Sequence, residues 1–333
     1  MTDTANVISI SGGKDSTSTA LYAIDQGAEN KTFIFADTGH EHPETYEYVE
    51  YLDGVLKQRA GVGITTVRAD LTDDMARKRD YIRKKWPEDG IPETQINEAL
   101  EVLHPTGIPF LDLCLLKGRF PSTKVRFCTE FLKQKPIDNQ VVQPLMDQYG
   151  TVISWQGVRA DESKSRANLP QKDVELGQWE PEPKGLLVYR PILHWTADDV
   201  FAYQKQHQVL PNPLYKQGMG RVGCMPCIHA RKHELREIAN RFPEAFDKVE
   251  RWEELVTKTA KTPEATFFAA NKTPGHTRGE LADDPGKTYG IRAVEEWAKT
   301  DHGGRQFDLV AAAEASEAAE GAAACSSIYG LCE

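Results

Sequence analysis

The chain has 333 residues, of which 40 are basic and 50 acidic, for a formal charge of −10 at neutral pH. That length buries a full hydrophobic core and predicts one large domain with an appendage. The acidic balance excludes broad electrostatic binding to nucleic acid, although it leaves room for a local basic patch.

No apolar run reaches transmembrane length, and the opening Met-Thr-Asp-Thr-Ala-Asn lacks the charged and apolar regions of a signal peptide. The expectation is a cytoplasmic protein that does not engage membranes. Its six cysteines are Cys114, Cys128, Cys224, Cys227, Cys325 and Cys332. In a reducing compartment such thiols point to metal or redox chemistry rather than structural disulfides.

In chain order, residues 7–10, 31–36 and 63–68 read as strands, separated by helical patterns over 17–26 and 46–60. Strand–helix–strand alternation predicts a parallel sheet with crossover helices. Residues 72–86 read as a helix carrying Arg77, Lys78, Arg79, Arg83, Lys84 and Lys85. Its plain reading is a solvated face; the alternative is a patch for an anionic substrate or nucleic acid. Further strands fit 151–157 and an edge segment at 186–191, followed by a helix over 196–206 with Thr196 as N-cap. From residue 258 the sequence turns polar, and residues 311–324 are almost entirely Ala, Glu, Ser and Gly. That composition suits a tether or marginal helix rather than a packed core. The predicted organisation is 1–220, a nucleotide-binding domain; 221–257, a Cys-x-x-Cys and helical segment; and 258–333, an extension with a cysteine-bearing tail.

The first motif is Ser11-Gly12-Gly13-Lys14-Asp15-Ser16, between the strand at 7–10 and the helix that follows. A strand, a glycine turn and a helix N-terminus make an anion site, because unpaired backbone N–H groups and the helix dipole both favour negative charge. The two glycines let the backbone approach an anion closely, Lys14 adds a mobile cation, and Ser11 and Ser16 add hydroxyl donors. The string is not a Walker A loop, since Ile8 stands where that motif needs glycine, and G-x-G-x-x-G is absent. It resembles the PP-loop of ATP pyrophosphatases.

The strand at 31–36 runs into Asp37-Thr38-Gly39-His40-Glu41-His42-Pro43-Glu44-Thr45. Open α/β sheets bind ligands at the carboxyl ends of their strands, so Asp37, Thr38 and Gly39 belong beside the phosphate loop. His40 and His42 read as hydrogen-bonded loop residues, with metal binding the minor alternative. The third segment, residues 155–170, carries Gly157, Arg159, Lys164 and Arg166 after a strand. Arginine forks grip phosphate or sulfate in two places at once, which makes Arg159 and Arg166 candidate anion ligands. A surface salt-bridge loop is the competing reading.

Taken together, these segments resemble the phosphoadenosine phosphosulfate (PAPS) reductase family. The Asp-Thr-Gly…Pro-Glu-Thr element at 37–45 and the Ser-Arg-Ala-Asn-Leu-Pro element at 165–170 carry the resemblance. Tyr189-Arg190-Pro191-Ile192, Asn212-Pro213-Leu214-Tyr215 and Gly223-Cys224-Met225-Pro226-Cys227 extend it to about residue 250. It implies a Rossmann-like α/β fold of the adenine nucleotide α-hydrolase type, with a parallel sheet and helices on both faces. It also implies an adenine nucleotide ligand: ATP, adenosine phosphosulfate (APS) or PAPS.

Iron–sulfur members of that family carry an adjacent Cys-Cys pair where this chain reads Cys128-Thr129. Three expected ligands of a [4Fe–4S] cluster therefore remain, Cys128, Cys224 and Cys227, with Cys325 or Cys332 a candidate fourth. Zinc and a metal-free Cys-x-x-Cys redox pair are the alternatives. Cys114, in an apolar run, reads as a small buried hydrophobe. The resemblance further implies a tail cysteine, Cys332 or Cys325, that attacks the sulfur of the bound nucleotide, Lys14 assisting, with a thioredoxin-like reductant releasing sulfite. The intact phosphate loop supports a second class: an ATP-dependent, Mg²⁺-using adenylyltransferase, or a sulfurtransferase acting on nucleic acid. A non-enzymatic nucleotide sensor is the third.

Overall fold

A computed structural model describes residues 4–180, 182–261, 264–268 and 290–300. Strands β1 (Thr4–Ile10), β2 (Lys31–Asp37) and β3 (Ile64–Arg68) form a parallel set joined by helices α1 (Lys14–Asp25) and α2 (Pro43–Ala60). After them come β4 (Thr151–Trp155), β5 (Lys172–Gln178) and β6 (Lys184–Tyr189). The sheet order is β3-β2-β1-β4-β6-β5, with only β5 antiparallel. The sequence reading put the edge at 186–191; β6 is interior, and the edge is β5. That strand is polar and bulged between Val174 and Leu176, which blunts an otherwise open edge.

Alternation along β1 explains why both faces are covered. Ile8 and Ile10 enter one core with Leu21 of α1 and Leu52 and Leu56 of α2. Ala5 and Val7 point into a second core with Ile137, Val141 and Val142. Those three lie in α6, a helical run over residues 127–149 that sequence periodicity did not reveal. Two wide π-turns interrupt it, Glu130–Gln134 and Asp138–Val142, each ending two residues before a proline, Pro136 or Pro144. Proline lacks the N–H and crowds the carbonyl four residues back, so the helix widens there.

The described residues fall into two compact units. The first holds 4–69 and 129–224, hence the whole sheet. The second is helical and, among the described residues, draws on 70–128 and on residues after 224. It contains α3 (Thr72–Glu88), α4 (Glu93–Val102), α5 (Pro109–Lys117), α9 (Lys232–Arg241), α10 (Pro243–Thr259) and α11 (Gly290–Lys299). Its core centres on Trp86, Phe110 and Trp252, the last two stacked with centroids 5.7 Å apart. No helix among the described residues is long and apolar enough to cross a membrane.

Candidate functional site

Strand order reverses beside β1, which has β2 on one side and β4 on the other. The crevice beyond the carboxyl ends of β1 and β4 is where such sheets place ligands, and the phosphate-loop residues stand there. Gly12 has a φ of +80°, and a Cβ on it would lie 2.8 Å from Cγ2 of Thr45. Glycine is therefore required for conformation and for space. Ser11 and Ser16 brace the turn: their hydroxyls lie 3.1 Å apart, Ser11 N donates to Ser16 Oγ, and Gly13 N donates to Ser11 Oγ.

Helix α1 starts at Lys14 with Gly13 as an N-cap that offers no side chain. Among the described residues, the amides of Asp15 and Ser16 take no protein acceptor. The Lys14 amide donates instead to Tyr215 Oη at 2.9 Å. Lys14 Nζ rests on Asp15 Oδ2 at 2.7 Å, and Asp15, fully buried, accepts from Arg159 Nε at 2.6 Å through its other oxygen. Arg159 Nη1 continues to Asp161 at 2.5 Å. Burial opposes the Arg159 charge, yet Asp15, Glu162 and Asp161 outweigh it and raise its pKa above the usual guanidinium value.

Arg159 and Arg166 thus stand where the sequence predicts them, but already engaged. Arg166 pairs with Glu162 across the short helix α7 (Lys164–Ala167). Gly157 lets the chain beyond β4 pass against α1: a Cβ there would sit 2.9 Å from Asp15 C and Ser16 N. Three side chains that motif reading missed grip the loop from one later stretch. Gln204, in α8 (Ala197–Gln206), donates to Lys14 O at 2.6 Å, Asn212 Nδ2 donates to Gly12 O at 3.2 Å, and Tyr215 takes the Lys14 amide. Asn212 and Tyr215 belong to the Asn-Pro-Leu-Tyr string, whereas Gln204 carries no signal in sequence.

The end of β2 builds a carboxylate cluster. Tyr46 Oη donates to Asp37 Oδ1 at 2.7 Å and Glu41 Oε2 at 2.9 Å. Burial, then the Glu41 and Asp37 charges, push the Tyr46 pKa far up, so the phenol stays protonated. Thr38 Oγ1 donates to Glu41 Oε1 at 2.8 Å, and Gly39 N to Asp37 Oδ1 at 2.8 Å. Glu41 was not singled out from the sequence, although it organises this corner. His42 Nδ1 accepts from Glu44 N and so caps α2.

Cys224 forms an isolated bridge with Glu41, and its Sγ donates to Glu41 Oε1 at 3.6 Å. Cys227 Sγ accepts from the amide of His229 at 3.5 Å. Among the described residues no three His, Cys, Asp or Glu side chains converge as a metal-ligand set. Cys128, the third expected ligand, is half-buried. Burial holds the Cys114 thiol well above its usual pKa, as suits a packing residue. Cys325 and Cys332 lie outside the described residues.

The comparisons with known proteins decide the family. The phosphoadenosine phosphosulfate reductase domain matches residues 5–230, more than half of the chain. The chain belongs to that family. It is 45% identical to a 37.8 kDa protein of Escherichia phage 186, over 99% of this chain and 97% of the relative. It is 29% identical to the adenosine 5′-phosphosulfate reductase of Allochromatium vinosum, over 48% of this chain and 63% of that enzyme. The corresponding enzyme of Streptomyces coelicolor is 39% identical over 26% of this chain and 34% of its own length. A crystal structure of PAPS reductase from Candida auris, a phosphate complex, is 16% identical and covers 67% of this chain and 82% of its own, with a TM-score of 0.36.

Proposed function

We propose that this PAPS reductase family member is a sulfonucleotide reductase that binds APS or PAPS and releases sulfite. The observation that carries the reading is the start of α1, where two amides lack a protein acceptor beside a lysine parked on its own neighbour. An incoming phosphate would draw Lys14 Nζ from Asp15 and complete its bonds on the Asp15 and Ser16 amides. Arg159 would stay on Asp15 as a positioning residue, because that carboxylate is buried and needs a cation once Lys14 leaves.

The reaction follows from the nucleotide's own chemistry. A thiolate from Cys332 or Cys325 attacks the sulfate sulfur, an S–S bond forms, and the S–O bond to the phosphate breaks. AMP, or its 3′-phosphorylated form, leaves with the electron pair, its new charge met by Lys14 and the α1 dipole. A dithiol reductant of the thioredoxin type then attacks the cysteine sulfur. Sulfite departs with the S–S electron pair, leaving a mixed disulfide, which the reductant's second thiolate breaks, so that the enzyme thiol returns and the reductant ends as a disulfide.

The complete Ser-Gly-Gly-Lys-Asp-Ser loop favours one second reading, ATP-dependent transfer, because it is equipped for a longer phosphate chain. One experiment separates the two: incubation of the full chain with ATP, APS and PAPS in turn, with a dithiol reductant. Sulfite from APS or PAPS, lost in Cys332→Ser or Cys325→Ser, supports the reductase. Pyrophosphate from ATP with no sulfite from either sulfonucleotide overturns it.

A further inference from the structure

One face of α2 and the β3 side of the sheet enclose a cleft that the phosphate loop does not use. Tyr46, Val49, Asp53 and Lys57 recur along α2 at helical spacing and so form a single stripe. Phe35 and Asp37 on β2, with Ile64 and Thr66 on β3, alternate along their strands and line the cleft opposite that stripe. Among the described residues β3 is the last strand on that side, so no neighbour fills the space beyond it. The cleft measures about 320 Å³, at the small end of the range for ligand pockets. Strand pairing sets Ile64 level with Phe33 and Arg68 level with Asp37, which makes it about 13 Å long.

Its floor is apolar and its ends are charged. Phe35 and Val49 are buried there, and the Tyr46 ring meets Phe35 edge-on with centroids 6.1 Å apart. At one end Asp37 accepts from the Tyr46 hydroxyl and pairs with Arg68 Nε at 3.4 Å. At the other end Asp53 pairs with Lys57 at 2.6 Å and accepts from Ile64 N at 2.6 Å. Gly63 makes room for that pair, since a Cβ on it would collide with Lys57 Cε and Asp53 Oδ1. Both end carboxylates are thus answered by a cation. Glu50, the third lining carboxylate, is exposed at the rim and makes no hydrogen bond or ion pair among the described residues. An apolar floor beneath one unanswered carboxylate complements an apolar body that carries one positive charge. A small molecule suits the length, whereas an extended peptide of more than about four residues would overrun both ends.

We propose that this cleft binds a small primary amine, its ammonium on Glu50 and its apolar body on Phe35, Val49 and Ile64. The site does not rest on the reading of the α1 loop, whichever nucleotide that loop takes. Its test is isothermal titration of the full chain at neutral pH with phenethylamine and, separately, with its neutral counterpart phenethyl alcohol. The amine is expected to bind saturably, one per chain. The alcohol lacks the charge and Glu50→Gln lacks its partner, so each change should weaken binding roughly fivefold. Thr66→Trp fills the cleft from an exposed position on the edge strand, which leaves the core untouched, and should abolish binding. Glu47→Gln removes an equally exposed carboxylate of α2 that does not line the cleft, and should leave the affinity as it was. Absence of saturable binding by the wild-type chain overturns the proposal. So does equal affinity for amine and alcohol, unchanged affinity in Glu50→Gln or Thr66→Trp, or a loss in Glu47→Gln as large as that in Glu50→Gln.

Discussion

Asp15 Oδ1 accepts from Arg159 Nε at 2.6 Å, a bond that ties the first turn of α1 to the chain leaving β4 across 144 residues of sequence. It makes the anion loop and the arginine segment one body. Arg159→Ala leaves a buried carboxylate with Lys14 as its one remaining cation. Breaking such a pair costs about 3 kcal/mol or more, measurable as a lower urea midpoint with an unchanged slope. Arg159→Lys restores under half of that loss, because one ammonium cannot span Asp15 and Asp161 as the fork does. Full recovery by lysine would refute the bridging role.

Gly157→Ala tests the same junction by contact rather than charge. The added methyl would lie 2.9 Å from Asp15 C and Ser16 N, and backbone atoms move only together. Overpacking of this kind costs about 1–3 kcal/mol. Part of the shift falls on the Ser16 amide, so phosphate affinity is expected to drop about tenfold, equivalent to 1.4 kcal/mol. Titration calorimetry on the variant reads it directly, and unchanged affinity would separate Gly157 from the binding geometry.

How much of this was legible in sequence follows from how far apart the interacting residues lie. The string Ser11 to Ser16 is local: strand, glycine turn and helix start are encoded within a dozen residues, and the fold places them as read. Arg159 was legible as a cation at a strand end but not as the partner of Asp15, since that pairing depends on β4 lying next to β1. Glu41 and Tyr46 lie in or beside the 37–45 element, yet their roles emerge only when Asp37, Thr38 and Cys224 close around them. The helix over 127–149 was hidden for a different reason. Its two prolines and wide turns break the 3.6-residue period by which a helix is recognised.

Tyr215 carries a prediction of opposite sign. Its hydroxyl takes the Lys14 amide that an anion at the α1 N-terminus would use, so the two compete. Tyr215→Phe removes the competitor and keeps the ring beneath Lys14 Nζ, 5.6 Å away. One neutral hydrogen bond is worth about 1 kcal/mol net, so phosphate should bind roughly fivefold more tightly. Weaker binding would mean that the phenol serves the ligand instead of displacing it.

Glu253 sets a pH dependence in the helical unit. Its two carboxylate oxygens accept from Phe267 N at 2.7 Å and Ile291 N at 3.0 Å, fastening residues 264–268 and the start of α11 to α10. Burial outweighs these bonds, the nearby Glu250 charge adds to it, and the pKa rises from 4.5 to about 7. The folded state therefore holds a proton that the unfolded state has released between those values. Stability falls with rising pH across that window and levels off above it. The shift corresponds to about 3 kcal/mol at 1.36 kcal/mol per pH unit. Glu253→Gln cannot titrate, so the stability difference, wild type minus variant, should fall by that order between pH 4.5 and pH 7.5. Denaturant titrations at the two pH values measure it, and a difference independent of pH would remove Glu253 as the group responsible.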